Sequence, residues 1–292
     1  MQQDRDDLHQ RREIGRAAAA WQAHGESHRW PDERVMLEAA PMMRRLVARF
    51  PLAAAERSFL GPLDGEELLG LLDDPDTPHA LRAAIGDRLT LLAGGDPRPG
   101  VGLRADGLPD LVWHAIPGGE VELEVEAKGW LRRRCDNHPA VELSWFEALA
   151  YCQWLSGRIG YEVSLPTEWH WQQAATGGNP ANEYPWGKWD EGRANTYESE
   201  LGRIVAVGLY PQGASAQGVF DLAGNTWDWC LNAFENPADV SPGGDARRVV
   251  RGGSWYSDRV SSRGAFRAGG DPGDRSYDLG LRVVCFSPIL DR

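Results

Sequence analysis

The stretch best equipped for chemistry is RGGSWYSDRVSSRGAFRAGGDPGDRSYDLGLRVVC, residues 251–285. It contains Tyr, Ser, Gly, Asp and Ala. Binding loops favour these residues, because a rigid amphipathic ring supplies contact area and small polar groups supply adaptable hydrogen bonds. That is the chemistry of recognition. Nucleophiles are sparse by comparison. Cys135, Cys152, Cys230 and Cys285 lie far apart, with no C-x-x-C pair and no dense framework, so they read as free thiols in a reducing, cytoplasmic setting. No Ser-His-Asp signal stands out, and spacing alone would not show one. Ser254 reads as a turn residue. Trp227, Asp228 and Trp229 alternate, so a strand there sets the two indoles on one face and Asp228 on the other. Arg251 and Arg282 are candidates to pair internally with carboxylates or carbonyls. Gly224 marks a backbone position that needs positive φ.

The elements that must position these residues change character along the chain. Residues 1 to about 105 read as helical. Ala17–Ala20 with Trp21 form a run of strong helix formers. Val35–Phe50 has helical apolar spacing, with Pro41 in a first turn and Pro51 beyond the end. Ala53–Leu60, Glu66–Leu72 and His79–Ala93 follow, the last closed by Gly94 and Gly95. Residues 94–110 are dense in Gly, Pro and Asp and read as a lead-in. Leu111–Ile116 and Glu120–Glu126 read as two strands around a turn. Ser144 and Glu147 form a capping box for a helix running to about Arg158 and ending near Gly160. Thr167 caps a second helix, Glu168–Ala175, whose box is incomplete because His170 stands three residues after the cap. From 179 onward helix signals vanish. Arg248–Val250 and Leu281–Phe286 read as short strands among long irregular stretches, which need aromatic or hydrogen-bond pins.

Composition narrows the function classes. The 292 residues carry 31 Lys+Arg against 43 Asp+Glu, a formal charge of −12, which argues against nucleic acid as a partner. No run approaches the about 18 apolar residues of a spanning helix, so no membrane partner is expected. The first residues, MQQDRDDLHQRR, lack the apolar segment of a secretory signal. Only Lys128 and Lys188 are lysines, a bias that reads as a GC-rich genome. The 13 tryptophans suit a loop-rich fold pinned by aromatics.

A series of motifs spans about 110 to 287: VELSWFEALAYC (141–152), LPTE (165–168), YPWG (184–187), Ala194-Asn195, GVFDLAGNTWDW (218–229), RGGSW (251–255) and GLR (280–282). It resembles the formylglycine-generating, sulfatase-modifying-factor family. The resemblance implies an α+β fold of C-type-lectin type, an irregular domain with paired terminal strands and two helices packed on hairpins. The domain organisation expected is a helical region, 1–105, and the lectin-like domain, 106–292. The chain departs from the family between Glu126 and Val141, where it is much shorter. It also departs at the Cu(I) ligands. Family enzymes hold Cu(I) through two cysteines after the Arg-Gly-Gly-Ser segment, and the matching positions are Ser257 and Ser262. A hydroxyl cannot replace a thiolate for Cu(I), so that activity is expected to be absent. Related ergothioneine-type enzymes hold iron through an H-x-x-x-H-x-E motif. His24 and His28 have the first spacing, but Trp30 occupies the carboxylate position.

Residues 251–285 further resemble the variable region of proteins targeted by diversity-generating retroelements, in which AAC codons become NNC codons. Laid without gaps on that pattern, the diversified, ligand-binding positions are Tyr256, Ser257, Asp258, Ser261, Phe266, Ala268, Gly270, Asp271, Asp274, Ser276, Tyr277 and Asp278. NNC can encode all of these and cannot encode Lys, Glu, Gln, Met or Trp, none of which occurs from 256 to 278. Arg263, Arg267, Pro272, Arg275, Gly280 and Arg282 would be scaffold. The expectation is a non-catalytic protein that binds a protein or other macromolecule through 256–278. A plain polar loop on an inactive family member is another reading. So are an oxidoreductase using a different metal and an adaptor whose helical region recruits a partner. No cofactor is expected, apart from the structural Ca²⁺ that family members often hold near the positions of Asn195 and Asp228. Asp228 is shorter than the usual Glu, which counts against the second of these.

Overall fold

A computed structural model describes residues 65–90, 92, 95–104, 106–114, 124–125 and 137–285, with Arg16 and Ala19 besides. Two compact units are present, Met1–Val112 with Cys135–Asn137, and Trp113–Arg134 with His138–Arg292. The boundary expected at 105 and 106 falls inside the first of these units.

In the first unit, helices α1 (Gly65–Asp73) and α2 (His79–Leu89) are joined by a short turn. A helix end leaves carbonyls without partners. Here buried Arg82 answers them, donating to Leu72 O at 2.8 Å and Asp74 O at 2.7 Å. The Asn137 amide donates to Gly86 O and Asp96, both at 2.8 Å. Helix α2 stops at Leu89, short of the Ala93 expected. Thr90 is its C-cap, and the Thr90 hydroxyl turns back onto Asp87 O at 2.6 Å. Arg16 and Ala19 are helical; the remaining expectations for 1–64, His24 and His28 among them, lie outside the described residues.

The second unit is built on local signals that the sequence carries plainly. Helix α3 (Trp145–Ile159) starts at the Ser144–Glu147 capping box and ends on Gly160 at φ 78°. Helix α4 (Glu168–Thr176) starts at Thr167. Its capping box is complete after all, because the His170 ring nitrogen Nδ1 accepts from Thr167 N at 3.3 Å. Burial pulls the His170 pKa down, which keeps that nitrogen an acceptor. Strands β1 (Glu124–Val125), β3 (Trp227–Ala233), β4 (Arg248–Arg251), β5 (Phe266–Gly270) and β6 (Leu279–Leu281) form one mixed sheet in the order β1-β5-β4-β3-β6. Strands β2 (Val163–Ser164) and β7 (Val284–Cys285) pair antiparallel. Residues 111–114, expected to begin a strand, have no regular structure, and the C-terminal strand is split between β6 and β7. Beyond α4 the described helices are three-residue 3-10 turns, Glu191–Arg193, Tyr197–Ser199 and Pro211–Gly213.

Indoles join the layers. Trp145, Trp171 and Trp229 are fully buried. Their N–H groups donate to Cys230 O, Asp228 Oδ2 and Leu143 O at 2.8, 2.8 and 3.1 Å. The Arg248 guanidinium lies 4.0 Å from the Trp145 ring and that of Arg251 lies 5.0 Å from Trp171. Buried aromatics with satisfied N–H groups thus supply the order that irregular backbone does not generate by propensity.

Candidate functional site

Strands β4 and β5 are joined by an irregular link, residues 252–265. Gly252 and Gly253 open it at φ 95° and 71°. A Cβ on Gly253 would overlap the Ser262 hydroxyl, so only glycine lets the loop fold back on itself here. Ser254 Oγ donates to Asp278 Oδ2 at 2.8 Å and accepts from Tyr256 N at 3.3 Å. Ser257 Oγ accepts from Ser254 N at 3.0 Å. Asp258 accepts Ser261 N on its carboxylate at 2.8 Å and Ser262 N on its carbonyl at 3.1 Å. Trp255 is buried with Val141, Ile204 and Tyr277. The loop is therefore held from below, while Tyr256, Asp258, Arg259 and Val260 are exposed.

A second segment braces it from outside the window. The 3-10 turn Tyr197–Ser199 donates Tyr197 N to Ser257 O at 2.9 Å. Glu198 Oε1 accepts Arg259 N at 2.9 Å, a contact between residues 61 positions apart. The Tyr184 hydroxyl donates to Arg259 O at 2.7 Å. The exposed rings of Tyr197 and Tyr256 meet edge to face, with centroids 6.4 Å apart and planes at 87°. Sequence reading missed Tyr197 and Glu198, and no local pattern around them marks them.

The structure divides the proposed ligand-binding positions. Tyr256, Asp258, Asp271 and Asp274 are exposed; Ser257, Ser261, Gly270 and Ser276 are half-buried. Phe266, Ala268, Tyr277 and Asp278 are buried, so the expectation that the whole window is displayed needs correction. The reason is strand β5. It lies between β1 and β4 and closes Phe266 and Ala268 off from solvent. Gly270 is equally constrained, because a Cβ there would stand 2.7 Å from Trp229 Cη2. Strand β5 also separates the exposed positions, with 256–261 before it and 271–276 after it. What links them runs underneath, through Ser254 to Asp278 and through Trp255 to Tyr277, whose rings lie 6.0 Å apart. In the later segment Asp274 Oδ2 accepts Asp271 N at 3.1 Å, and Arg275 forms an exposed ion pair with Glu147 at 2.9 Å. Arg275 and the capped Ser144 together hold the Glu147 carboxyl down at about 2.

Asn195 and Asp228 act as internal hydrogen-bond partners. Asn195 donates to Arg203 O at 2.9 Å and to Asn225 Oδ1 at 3.2 Å, and accepts from Ser199 Oγ at 2.9 Å. Asp228 Oδ2 accepts from the Trp171 indole and, at 3.1 Å, from Arg282. Calcium wants six to eight oxygens. A carboxylate oxygen already answering an indole and a guanidinium does not fit that role. Among the described residues no three His, Cys, Asp or Glu side chains converge as a metal site. Ser257 and Ser262 instead hydrogen-bond within the loop. Arg251 donates to Gln172 Oε1 and Gly264 O at 2.5 and 2.6 Å, as expected of an internal pin, and Gly224 sits at φ 78°.

Two helices on a mixed sheet, with long pinned links, define the α+β, C-type-lectin-like frame of formylglycine-generating-enzyme type. The sulfatase-modifying factor enzyme 1-like domain model matches residues 113–286, and the chain belongs to that family. It is 32% identical over 176 residues to the formylglycine-generating enzyme of Streptomyces coelicolor, covering 51% of this chain and 52% of that one. It is 33% identical over 161 residues to the inactive C-alpha-formylglycine-generating enzyme 2 of Mus musculus, covering 50% and 48%. Among solved structures it is similar to Treponema denticola variable protein 1, with a TM-score of 0.46 and 21% identity over 51% of this chain and 72% of that one. The chain spans 24% to 52% of the length of the curated relatives it matches.

Proposed function

We propose that this chain is a non-catalytic, cytoplasmic binding protein that displays 256–261, with 271–276, to a protein ligand, and that a diversity-generating retroelement varies the exposed positions. The observation that carries this reading is the construction of the 252–265 loop. Tyr256, Asp258 and Val260 face solvent while the backbone beneath them is held by the scaffold. A loop held this way tolerates changes in exposed side chains without losing its shape. Its exposed Tyr256 and Asp258, with the half-buried Ser257 and Ser261, are of the residue types that suit binding surfaces. The serines at 257 and 262 support absence of the Cu(I) chemistry, since thiolates are what Cu(I) requires. The curated relatives include both active and inactive enzymes and do not choose between the readings.

Sequencing the gene's surroundings tests the diversification. A reverse transcriptase and a near-duplicate of the 3′ coding segment, differing at adenines, are expected; their absence ends that part of the proposal. Purified protein is expected to carry no stoichiometric copper or iron and to consume no oxygen with a thiol substrate. Stoichiometric metal with thiol-dependent oxygen consumption would establish the oxidoreductase reading in its place.

A further inference from the structure

Resting on that reading, we infer that Tyr197, outside the variable window, is an invariant part of the binding face and contacts the same protein ligand as Tyr256. Tyr197 is 64% exposed, more than Tyr256 at 48% or Val260 at 46%. A tyrosine left so open has no packing role equal to its size. Its ring stands edge to face with Tyr256, 6.4 Å away, so anything covering one phenol reaches the other.

How the two segments are fastened makes this more than proximity. Tyr197 N holds Ser257 O, and Glu198 Oε1 holds Arg259 N. On the variable side both partners are backbone atoms. They survive whatever side chain stands at 256, 257 or 258. Tyr197 therefore keeps its place beside the variable positions in every variant, supplying aromatic area at low entropic cost. Thr196 Oγ1 donates to Glu198 Oε2 at 2.7 Å and fixes the carboxylate that grips the loop. The partner that fits is a protein surface. The exposed groups are two phenols, a valine, Asp258 and Arg259, which offer apolar contact ringed by charges of both signs.

The test uses the full chain displayed on phage, with NNC codons at 256, 257, 258 and 261, selected on lysozyme. Tyr197→Ser and Tyr197→Phe are then placed in the selected binders. The expected result is a loss of affinity for lysozyme of about tenfold or more with Y197S and a smaller loss with Y197F, with the melting temperature of the unbound protein unchanged. Selected binders that ignore Y197S would overturn the role of Tyr197 and leave the binding face standing. A library that yields no lysozyme binder would overturn the binding face and the inference with it. A parallel selection on amylose that succeeds where lysozyme fails would overturn the protein partner.

Discussion

Glu168 and Arg267, 99 positions apart, meet as a two-pronged ion pair with N–O distances of 2.8 and 3.1 Å. The pair joins the first turn of α4 to strand β5, and Arg267 also donates to Phe234 O at 3.0 Å and stacks on the Phe234 ring. Removing one partner of such a buried pair strands the other charge. Glu168→Ala is expected to cost roughly 3–5 kcal/mol, whereas replacing both residues by Met costs much less. Denaturant unfolding of the two variants checks this; equal losses would mean the pair is not electrostatically coupled.

Asp228 is a structural acceptor. Asp228→Ala leaves the Trp171 indole and Arg282 without that oxygen and is expected to cost about 1–3 kcal/mol. Titrating EDTA or Ca²⁺ into the native chain is expected to leave its melting temperature unchanged. A rise in melting temperature with Ca²⁺ that D228A abolishes would restore a calcium role to this residue.

Burial restricts which window positions can vary. Gly270→Ala puts a methyl 2.7 Å from the Trp229 ring, while Gly273→Ala meets nothing within 4 Å. The first is expected to destabilise by about 1–3 kcal/mol and the second to stay within about 0.5 kcal/mol. Thermal melts of the two variants decide it. Equal melts would show that β5 yields to side chains at 270.

Asp278 makes a prediction with a definite sign. Burial pushes its carboxyl above the ordinary 3.8, partly offset by the hydroxyls of Ser276 and Ser254. A carboxyl raised in the folded state binds its proton more tightly there than in the unfolded chain. It therefore contributes stability at acid pH that is lost as pH rises through its folded value. Asp278→Asn removes that dependence. At pH 7 the variant is expected to be at least as stable as the native chain, and its advantage to shrink as pH falls toward 3.8. A stability difference that does not change with pH would refute this.

Where partners are neighbours in sequence, the structure was legible beforehand. Ser144 and Glu147 cap α3, Gly160 ends it, Thr167 starts α4, and each depends on contacts a few residues long. Even here His170 departs from expectation, because residue type does not show that an imidazole nitrogen will fold back onto the helix cap as an acceptor. The motif series marked the family. Composition could not reveal strand β5. Phe266-Arg-Ala-Gly-Gly270 lacks the alternation that marks a half-buried strand, and burial between β1 and β4 removes the need for it. Nor could it reveal that Tyr197 stands beside Tyr256, since that contact exists only once β4, β5 and the 3-10 turn are brought together. Short-range chemistry is written in neighbouring side chains and acts before the chain folds. Which residues end up open to a partner depends on contacts among distant segments, and those come into being only as the core closes.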